Sequence, residues 1–297
     1  MPNGARQRRR IVDPVGERGL LVVKVAVVIP TIEPVAALSG LVECLRSQVS
    51  PGLDLSFVVV QNGPVAHDPR AGEIALPVER LIRRSEYLGS EGGFLTGLEV
   101  AEPCDRYLLL DEDATLDPES FDRLLAACRT FPDAVISGNQ NGQGWWIGQS
   151  ASGIDTEPVP ITRAPWSGLV LTPAARSIAL SSPSRYFFLW DDYALCWRLE
   201  RAGIQLIGIP SAVIGNRMKT SESVTPWRAY YRCRNELLYR RDVAAGGFVR
   251  TLIMRTRFAV GSVRRGNFAV GAAVYRGMVD GLLDRRGMRM LPGSAPE

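Results

Sequence analysis

The sequence predicts an α/β protein: a mostly parallel, doubly wound (Rossmann-like) sheet with helices on both faces and a helical C-terminal appendage. Three observations carry that expectation. Two β-rich runs, Val22 to Ile29 and Leu55 to Val60, bracket a helical pattern, and strand, helix, strand at this spacing opens a parallel sheet. A third apolar run, Tyr107 to Leu110, delivers the chain to Asp111-Glu112-Asp113, and a helix start follows. From about Pro226 the alternation stops, and arginines at helical spacing take over.

In chain order, residues 1–18 read as a disordered basic tail, residues 19–225 as one catalytic-type domain, and residues 226–297 as an Arg-rich helical region. The first strand stops at Pro30-Thr31, where a loop begins. Leu38, Leu41, Val42 and Leu45 fall at i, i+3, i+4 and i+7, one face of a helix. The second strand ends at Gln61-Asn62-Gly63-Pro64, a strong turn signal. Asp117 followed by Pro118 reads as an N-cap and first helical residue, with Phe121, Leu124, Leu125 and Cys128 as the buried face. Asp191 or Asp192 opens a further helix that Gly203 ends. Ile204 to Ile209 and Ala212 to Ile214 read as two short strands around Pro210. In the C-terminal region Val249, Leu252, Ile253, Val260 and Val263 form one stripe, with Arg250, Arg257 and Arg264 to one side and Phe258 spoiling the separation.

Composition narrows the function classes. The 297 residues are 46% hydrophobic and 22% charged, as in an ordinary globular protein, and no apolar run reaches the ~18 residues of a membrane span. With no signal-peptide pattern after the basic N-terminus, the expected location is cytoplasmic, with peripheral contact at the inner face of the plasma membrane as an extension of it. Five scattered cysteines form no CxxC pair and fit reduced thiols. His67 is the single histidine and sits in a loop-like stretch, which argues against a Ser-His-Asp hydrolase. The net charge of +4 conceals an uneven distribution: arginines recur from Arg228 to Arg289 against only Glu236, Asp242, Asp280 and Asp284, pointing to an anionic partner, either phospholipid headgroups or a phosphate-bearing substrate. No motif supports nucleic-acid binding.

Three segments are equipped for chemistry. In an extended backbone Asp111 and Asp113 point the same way, at the carboxyl end of a parallel strand where such sheets bind ligands. Carboxylates there suit a hard divalent cation, though an acidic turn that merely starts a helix has the same composition. Gly89 to Gly97 is glycine-rich and leads into a helical stretch, so its backbone offers close approach and N–H groups to phosphate or sugar; it is neither a P-loop nor a clean dinucleotide fingerprint. Trp190-Asp191-Asp192-Tyr193 places paired acids at a helix start, either as a general base or as dipole-stabilising residues. Trp145, Trp146 and Trp166 are candidates for stacking on sugar rings, or for the core.

Taken in order, these segments resemble the family-2 inverting glycosyltransferases of the GT-A fold, from about Lys24 to Tyr239. Val25 to Thr31 looks like the family's opening strand, and Leu110-Asp111-Glu112-Asp113-Ala114 like its metal-binding D-x-D. Phe188-Leu189-Trp190-Asp191-Asp192, with Arg198 and Gly203 downstream, is similar to its catalytic-base region. Leu88 to Phe94 resembles the glycine-rich segment of the galactofuranosyl- and rhamnosyltransferase branch, and Tyr231 with Arg234-Asn235 that branch's motif after the domain. The processive synthases of this fold are disfavoured, because their Q-x-x-R-W motif and membrane spans have no counterpart here.

The resemblance implies transfer of one sugar, galactofuranose or rhamnose, from a UDP- or dTDP-sugar to a hydroxyl of a glycan or lipid-linked acceptor, with inversion. Asp192 would be the base and Asp191 its positioning partner. Pro30, Thr31, Gln61, Asn62, Gly92, Gly93, Asp111 and Arg198 would bind the donor, and Trp166 and Trp190 the acceptor. Mn2+ or Mg2+ would sit on Asp111, Asp113 and Asn216. The C-terminal region would meet an anionic membrane surface. Four positions depart from the pattern: Gln61 where an Asp is usual, Asn216 where the branch often has His, Tyr87 for Asn and Ala194 for an acid. They motivate the alternative of a catalytically degenerate member that binds a nucleotide-sugar or a protein partner.

Overall fold

A computed structural model describes residues 22–48, 52–63, 78–141, 157–216, 224–243 and 246–291. The basic tail, His67, Trp145 and Trp146 lie outside the described residues.

The strands are β1 (Val23–Thr31), β2 (Leu53–Asn62), β3 (Arg80–Arg84), β4 (Arg106–Leu109), β5 (Ala114–Leu116), β6 (Val135–Gln140), β7 (Val159–Ile161), β8 (Leu169–Leu171) and β9 (Leu206–Asn216). The helices are α1 (Ser39–Arg46), α2 (Gly89–Val100), α3 (Pro118–Thr130), α4 (Pro173–Ser181), α5 (Asp191–Arg201), α6 (Pro226–Asp242), α7 (Phe248–Arg264) and α8 (Phe268–Leu282). One sheet runs β3-β2-β1-β4-β8-β6-β9-β5, with β7 against β9. β3, β2, β1 and β4 are mutually parallel, β8 is antiparallel between β4 and β6, and β6 and β9 are again parallel. This is the mostly parallel α/β sheet the sequence predicts, with helices on both faces.

The alternation of side chains along β1 explains why helices cover both faces. Val25, Val27 and Ile29 enter a core with Phe57, Leu108, Phe121 and Ile136, beneath α1 and α3. Ala26 and Val28 point the other way, into a core with Phe94, Leu98, Leu171, Leu195 and Leu199 beneath α2, α4 and α5. A strand buried on both faces reads as an unbroken apolar run, as Val25 to Pro30 of β1 does. Asp117 caps α3 as its sequence predicts, accepting from the Ser120 N–H at 2.7 Å, with Pro118 at the first helical position.

Three local expectations are corrected. The glycine-rich stretch does not merely lead into a helix but forms the first turns of α2, which begins at Gly89. Its glycines bring the helix close to the sheet: a Cβ on Gly97 would lie 2.3 Å from Val28 Cγ1, and one on Gly93 would lie 2.8 Å from Pro30 Cβ. Second, β9 is one strand through Pro210 rather than two, its register with β6 shifting between Gly138 and Asn139, and Asn139 Nδ2 donates to the Pro210 carbonyl at 2.9 Å. Third, Gln61 and Asn62 belong to β2, and the left-handed Gly63 (φ 118°) is where the strand turns.

The C-terminal region is three helices. α8 packs along α6 because Gly277 and Gly281 leave room for it: a Cβ would lie 2.6 Å from the Tyr230 carbonyl at the first and 3.1 Å from the Arg234 carbonyl at the second. The apolar stripe on α7 divides: Leu252 packs on this core with Phe248 and Phe258, and the rest of the stripe faces outward. Val249, Ile253, Val260 and Val263 are exposed, and the inward face carries Thr251, Ala259 and Ser262. No described helix is long and apolar enough to cross a membrane.

Candidate active site

The carboxyl ends of β1, β2 and β4 and the N-termini of α2 and α5 converge on one cluster of carboxylates. Asp111-Glu112-Asp113 follows β4 as a tight turn, closed by the Ala114 N–H to the Asp111 carbonyl at 3.1 Å, not as the extended run that would align alternate side chains. Glu112, the middle residue, turns back onto the loop after β1. It accepts from the Thr31 hydroxyl, from the Ile32 N–H at 2.8 Å and from the Glu33 N–H at 3.2 Å. Asp111 donates its own N–H to Ser167 Oγ at 3.0 Å. Its carboxyl is partly accessible but ringed by protein, and burial, then Asp113, then Glu112 push its pKa up to about 7. That is the signature of negative charge gathered with too little compensation.

Asp191 and Asp192 open α5, at the end of an unusual loop. Arg185, Phe187, Leu189 and Trp190 all have left-handed φ values of 58°, 75°, 64° and 69°. Such residues cost roughly 1–2 kcal/mol each, so the loop persists because something holds it. The holder is Arg234-Asn235 on α6. Arg234, fully buried, donates to the Tyr186 carbonyl at 2.6 Å, the Gly287 carbonyl at 2.7 Å and Asn235 Oδ1 at 2.8 Å. Asn235 Nδ2 lies within 3.0 Å of the carbonyls of Tyr186, Phe188 and Leu189. From the other side Gly89 closes on the loop: the next N–H, of Ser90, donates to the Phe187 carbonyl at 2.9 Å, and a Cβ on Gly89 would sit 1.8 Å from that oxygen.

The loop leaves the two aspartates inequivalent. Asp191 is buried, and its Oδ2 accepts from Ser90 Oγ at 2.5 Å and Trp166 Nε1 at 2.8 Å. Burial raises its pKa and these two bonds oppose the rise. Asp192 is half-exposed, accepts from the Tyr193 N–H at 2.8 Å, and is pushed well above the ordinary carboxylate range by burial and then by the Asp191 charge. Trp166 itself is 5% exposed and stacked on Phe94 at 5.3 Å, so its ring offers no free face to a sugar; its N–H holds Asp191 instead.

Among the described residues no three His, Cys, Asp or Glu side chains are placed to hold a metal ion. The donor set that does exist is two carboxylates and an amide. Asn216 pairs with Ala114 across the β5–β9 ladder, next to Asp113, and its Nδ2 donates to Gln140 Oε1 at 3.1 Å. Its Oδ1 is buried and accepts no hydrogen bond. An orphaned acceptor beside a surplus of carboxylate charge suits a cation. Two carboxylates also suffice for magnesium, which keeps waters and shares its shell with substrate phosphates. The residues present therefore fit a divalent cation bound together with a diphosphate.

The remaining sequence candidates divide. Thr31 and Pro30 end β1 at this corner. Asn62 spends its amide on the start of α2, accepting from the Leu88 N–H at 2.9 Å and donating to the Gly89 carbonyl at 2.7 Å. Gln61 Nε2 donates to the Glu33 carbonyl at 3.0 Å. Gly92 and Gly93 lie in the first turns of α2, and Trp190 packs on Tyr193 and Tyr239. Arg198 lies two turns along α5 from the aspartates and borders a separate recess of about 320 Å³ with Ser184, Trp197 and Arg286. It sits 3.8 Å from Glu91, and that carboxylate accepts from Ser184 and the Arg185 N–H. Ser90 and Glu91 lie within the glycine-rich segment and Ser167 beside Trp166, but their roles come from contacts with residues far along the chain, which the motifs did not specify.

No family model matches the chain, and no curated protein matches it. Solved structures do. The fold is similar to a mannosyltransferase from Pyrobaculum calidifontis in complex with GDP-Man and Mn2+ (TM-score 0.55, 12% identity, 88% of each chain covered). It is also similar to GalNAc-T7 with UDP, GalNAc and Mn2+ (TM-score 0.54, 11% identity, 80% of this chain), of whose length this chain spans 56%. A third is glucosyl-3-phosphoglycerate synthase from Mycobacterium tuberculosis with Mg2+ and UDP (TM-score 0.50, 13% identity, 74% of this chain and 79% of that one). At these identities the likeness establishes the fold.

Proposed function

We propose that the chain is a glycosyltransferase that moves one sugar from a nucleotide-sugar to an acceptor hydroxyl with inversion. The observation that carries this reading is the inequivalent pair Asp191 and Asp192 beside Asp111 at the carboxyl end of the sheet. Asp191 is fixed by Ser90 and Trp166, and Asp192 stands next to it, half-exposed and with a raised proton affinity. A base with a raised pKa is better matched to an alcohol proton than an ordinary carboxylate. Asp192 takes the proton of the acceptor hydroxyl as that oxygen bonds to the anomeric carbon, and the bond from that carbon to the diphosphate breaks on the opposite side. Asp191 holds the geometry. Asp111, Asp113 and Asn216 would hold Mn2+ or Mg2+, which when bound supplies neutralising charge to the departing diphosphate.

Resemblance to the galactofuranosyl- and rhamnosyltransferase branch makes a UDP- or dTDP-linked sugar the donor, and a lipid-linked saccharide or cell-surface glycan the acceptor. The solved structures of similar fold, two with UDP and one with GDP-Man, each with Mn2+ or Mg2+, support a nucleotide-sugar and a divalent cation. Calorimetric titration with UDP, dTDP and GDP, with and without each cation, tests the donor site. One nucleotide should bind in a cation-dependent way, and Asp113→Asn should abolish that dependence. Asp192→Asn should keep the binding and lower nucleoside diphosphate release by about 10²–10⁴-fold, the worth of a positioned base. The anomeric configuration of the product reads out inversion. Binding without release in the wild type would instead favour the second reading, a nucleotide-sugar binder without turnover, which draws on Gln61 being committed to Glu33.

A further inference from the structure

One apolar stripe of α7 faces away from the protein. Val249 (67% exposed), Ile253 (49%), Val260 (46%) and Val263 (40%) lie three, four or seven residues apart and so share one outward stripe. The inward face buries Thr251, Ala259 and Ser262 and packs Phe248, Leu252 and Phe258 on the helical core. Three arginines, Arg250, Arg257 and Arg264, recur every seventh residue and form an exposed row beside the stripe. α7 contains no Asp or Glu, and its fourth arginine, Arg255, turns inward to Glu236 at 2.8 Å. α8 repeats the arrangement: Phe268, Tyr275 and Leu282 are exposed at seven-residue spacing, with Arg276 alongside. The helices touch through Gly271, where a Cβ would lie 2.5 Å from Val263 Cγ2, so the two stripes adjoin.

We infer that the outward face of the α7–α8 layer docks on an anionic phospholipid surface. An interfacial helix needs an apolar stripe that enters the acyl boundary and flanking cations at headgroup level, and both are present in one layer. Charge decides against a second copy of the chain as occupant. A two-fold contact through this face would set an arginine row against an identical row, with no acid on α7 to answer it. The inference does not rest on the glycosyltransferase reading, though a lipid-linked acceptor would give such docking a purpose.

The test uses the full chain and sedimentation with vesicles of phosphatidylcholine, alone or mixed with phosphatidylglycerol. Binding is expected to the mixed vesicles, falling with added salt. The triple variant Arg250→Gln, Arg257→Gln, Arg264→Gln should bind about 100-fold more weakly, at about fivefold per arginine near an anionic surface. The variant Ile253→Ser, Val260→Ser should also lose binding; both sites are exposed, so melting and nucleotide titration should match the wild type and separate this result from the donor site. Absence of binding by the folded wild type, equal binding to both vesicle types, or retention in both variants would overturn the inference. So would a concentration-dependent dimer that the serine variant abolishes, which would make the face a self-interface.

Discussion

Replacing Arg234 with Met should damage both stability and turnover, and the two losses have separate causes. The substitution removes three donors from a fully buried position. Tyr186 keeps its bond from Asn235, but the Gly287 carbonyl and Asn235 Oδ1 lose the partners Arg234 supplied. Two orphaned acceptors at about 1–3 kcal/mol each give roughly 2–6 kcal/mol. Removing a guanidinium whose charge burial disfavours returns part of that, leaving about 2–4 kcal/mol of net destabilisation. At about 2 °C per kcal/mol for a chain of this size, the melting temperature falls by about 4–8 °C. The loop it clamps then relaxes from its four left-handed residues, and Asp191 and Asp192 shift with it. A displacement of about 1 Å at a reacting group is worth about 100-fold, so nucleoside diphosphate release should fall by about that factor below the melting temperature, with nucleotide affinity little changed. Arg234→Lys should not rescue it, because one ammonium cannot span three acceptors. Thermal melting and donor turnover on the same preparation decide the matter: a folded Arg234→Met protein with the wild-type rate refutes the clamp.

Trp166→Phe keeps the stack on Phe94 but deletes the N–H to Asp191; turnover should fall about tenfold or more, as the loss of a charge-assisted bond of about 1.5–3 kcal/mol implies, and an unchanged pH–rate midpoint would count against it. Because the Asp192 pKa is raised, donor turnover should climb with pH to a midpoint well above the carboxylate value of 3.8; a flat profile from pH 4 upward would exclude it as base. In chelator, the folded Asp111 binds its proton more tightly than the unfolded chain does, so its contribution is complete below pH 3.8 and lost as pH rises to about 7. The loss is at most about 4 kcal/mol, at 1.36 kcal/mol per pKa unit; Asp111→Asn should flatten that slope in denaturant titrations, and a slope identical to wild type would refute it. Gly97→Ala should destabilise by up to about 2 kcal/mol: Ala is the better helix former by about 1 kcal/mol, but its Cβ would meet the stiff Val28 side chain at 2.3 Å, and overpacking costs about 1–3 kcal/mol. A stabilised variant in urea would reverse the order of the two effects.

Elements set by local chemistry were legible in the sequence. The apolar, β-rich run in Val23–Thr31, the Asp117-Pro118 start of α3 and the helix start at Asp191 each follow from residues within a few positions of one another. Short strands such as β5, β7 and β8 were not, because three residues carry too little periodicity to register. The glycines of α2 misled for a physical reason: glycine signals loops on intrinsic preference, but here it serves the approach of a helix to β1 and β2. Of the stripe on α7, Val249, Ile253, Val260 and Val263 share one outward face while Leu252 turns to the core, and periodicity cannot say which way a stripe faces.

The candidate site was legible as residue types and not as an arrangement, and the hydrogen bonds show why. Ser90 reaches Asp191 across 101 residues, Thr31 reaches Glu112 across 81 and Arg234 reaches Tyr186 across 48. Each bond is one side chain on one distant partner, so no local pattern encodes it. The consequence is a division of labour among the conspicuous acids. Glu112, central in the D-x-D segment, is spent on the loop after β1, and Asp191, first of the pair, is spent on Ser90 and Trp166. That leaves Asp111 and Asp192 as carboxylates whose raised proton affinities mark unmet charge. On the proposed reading Asp111 would hold a cation and Asp192 would take a proton, the two functions that activating an alcohol against a leaving diphosphate requires.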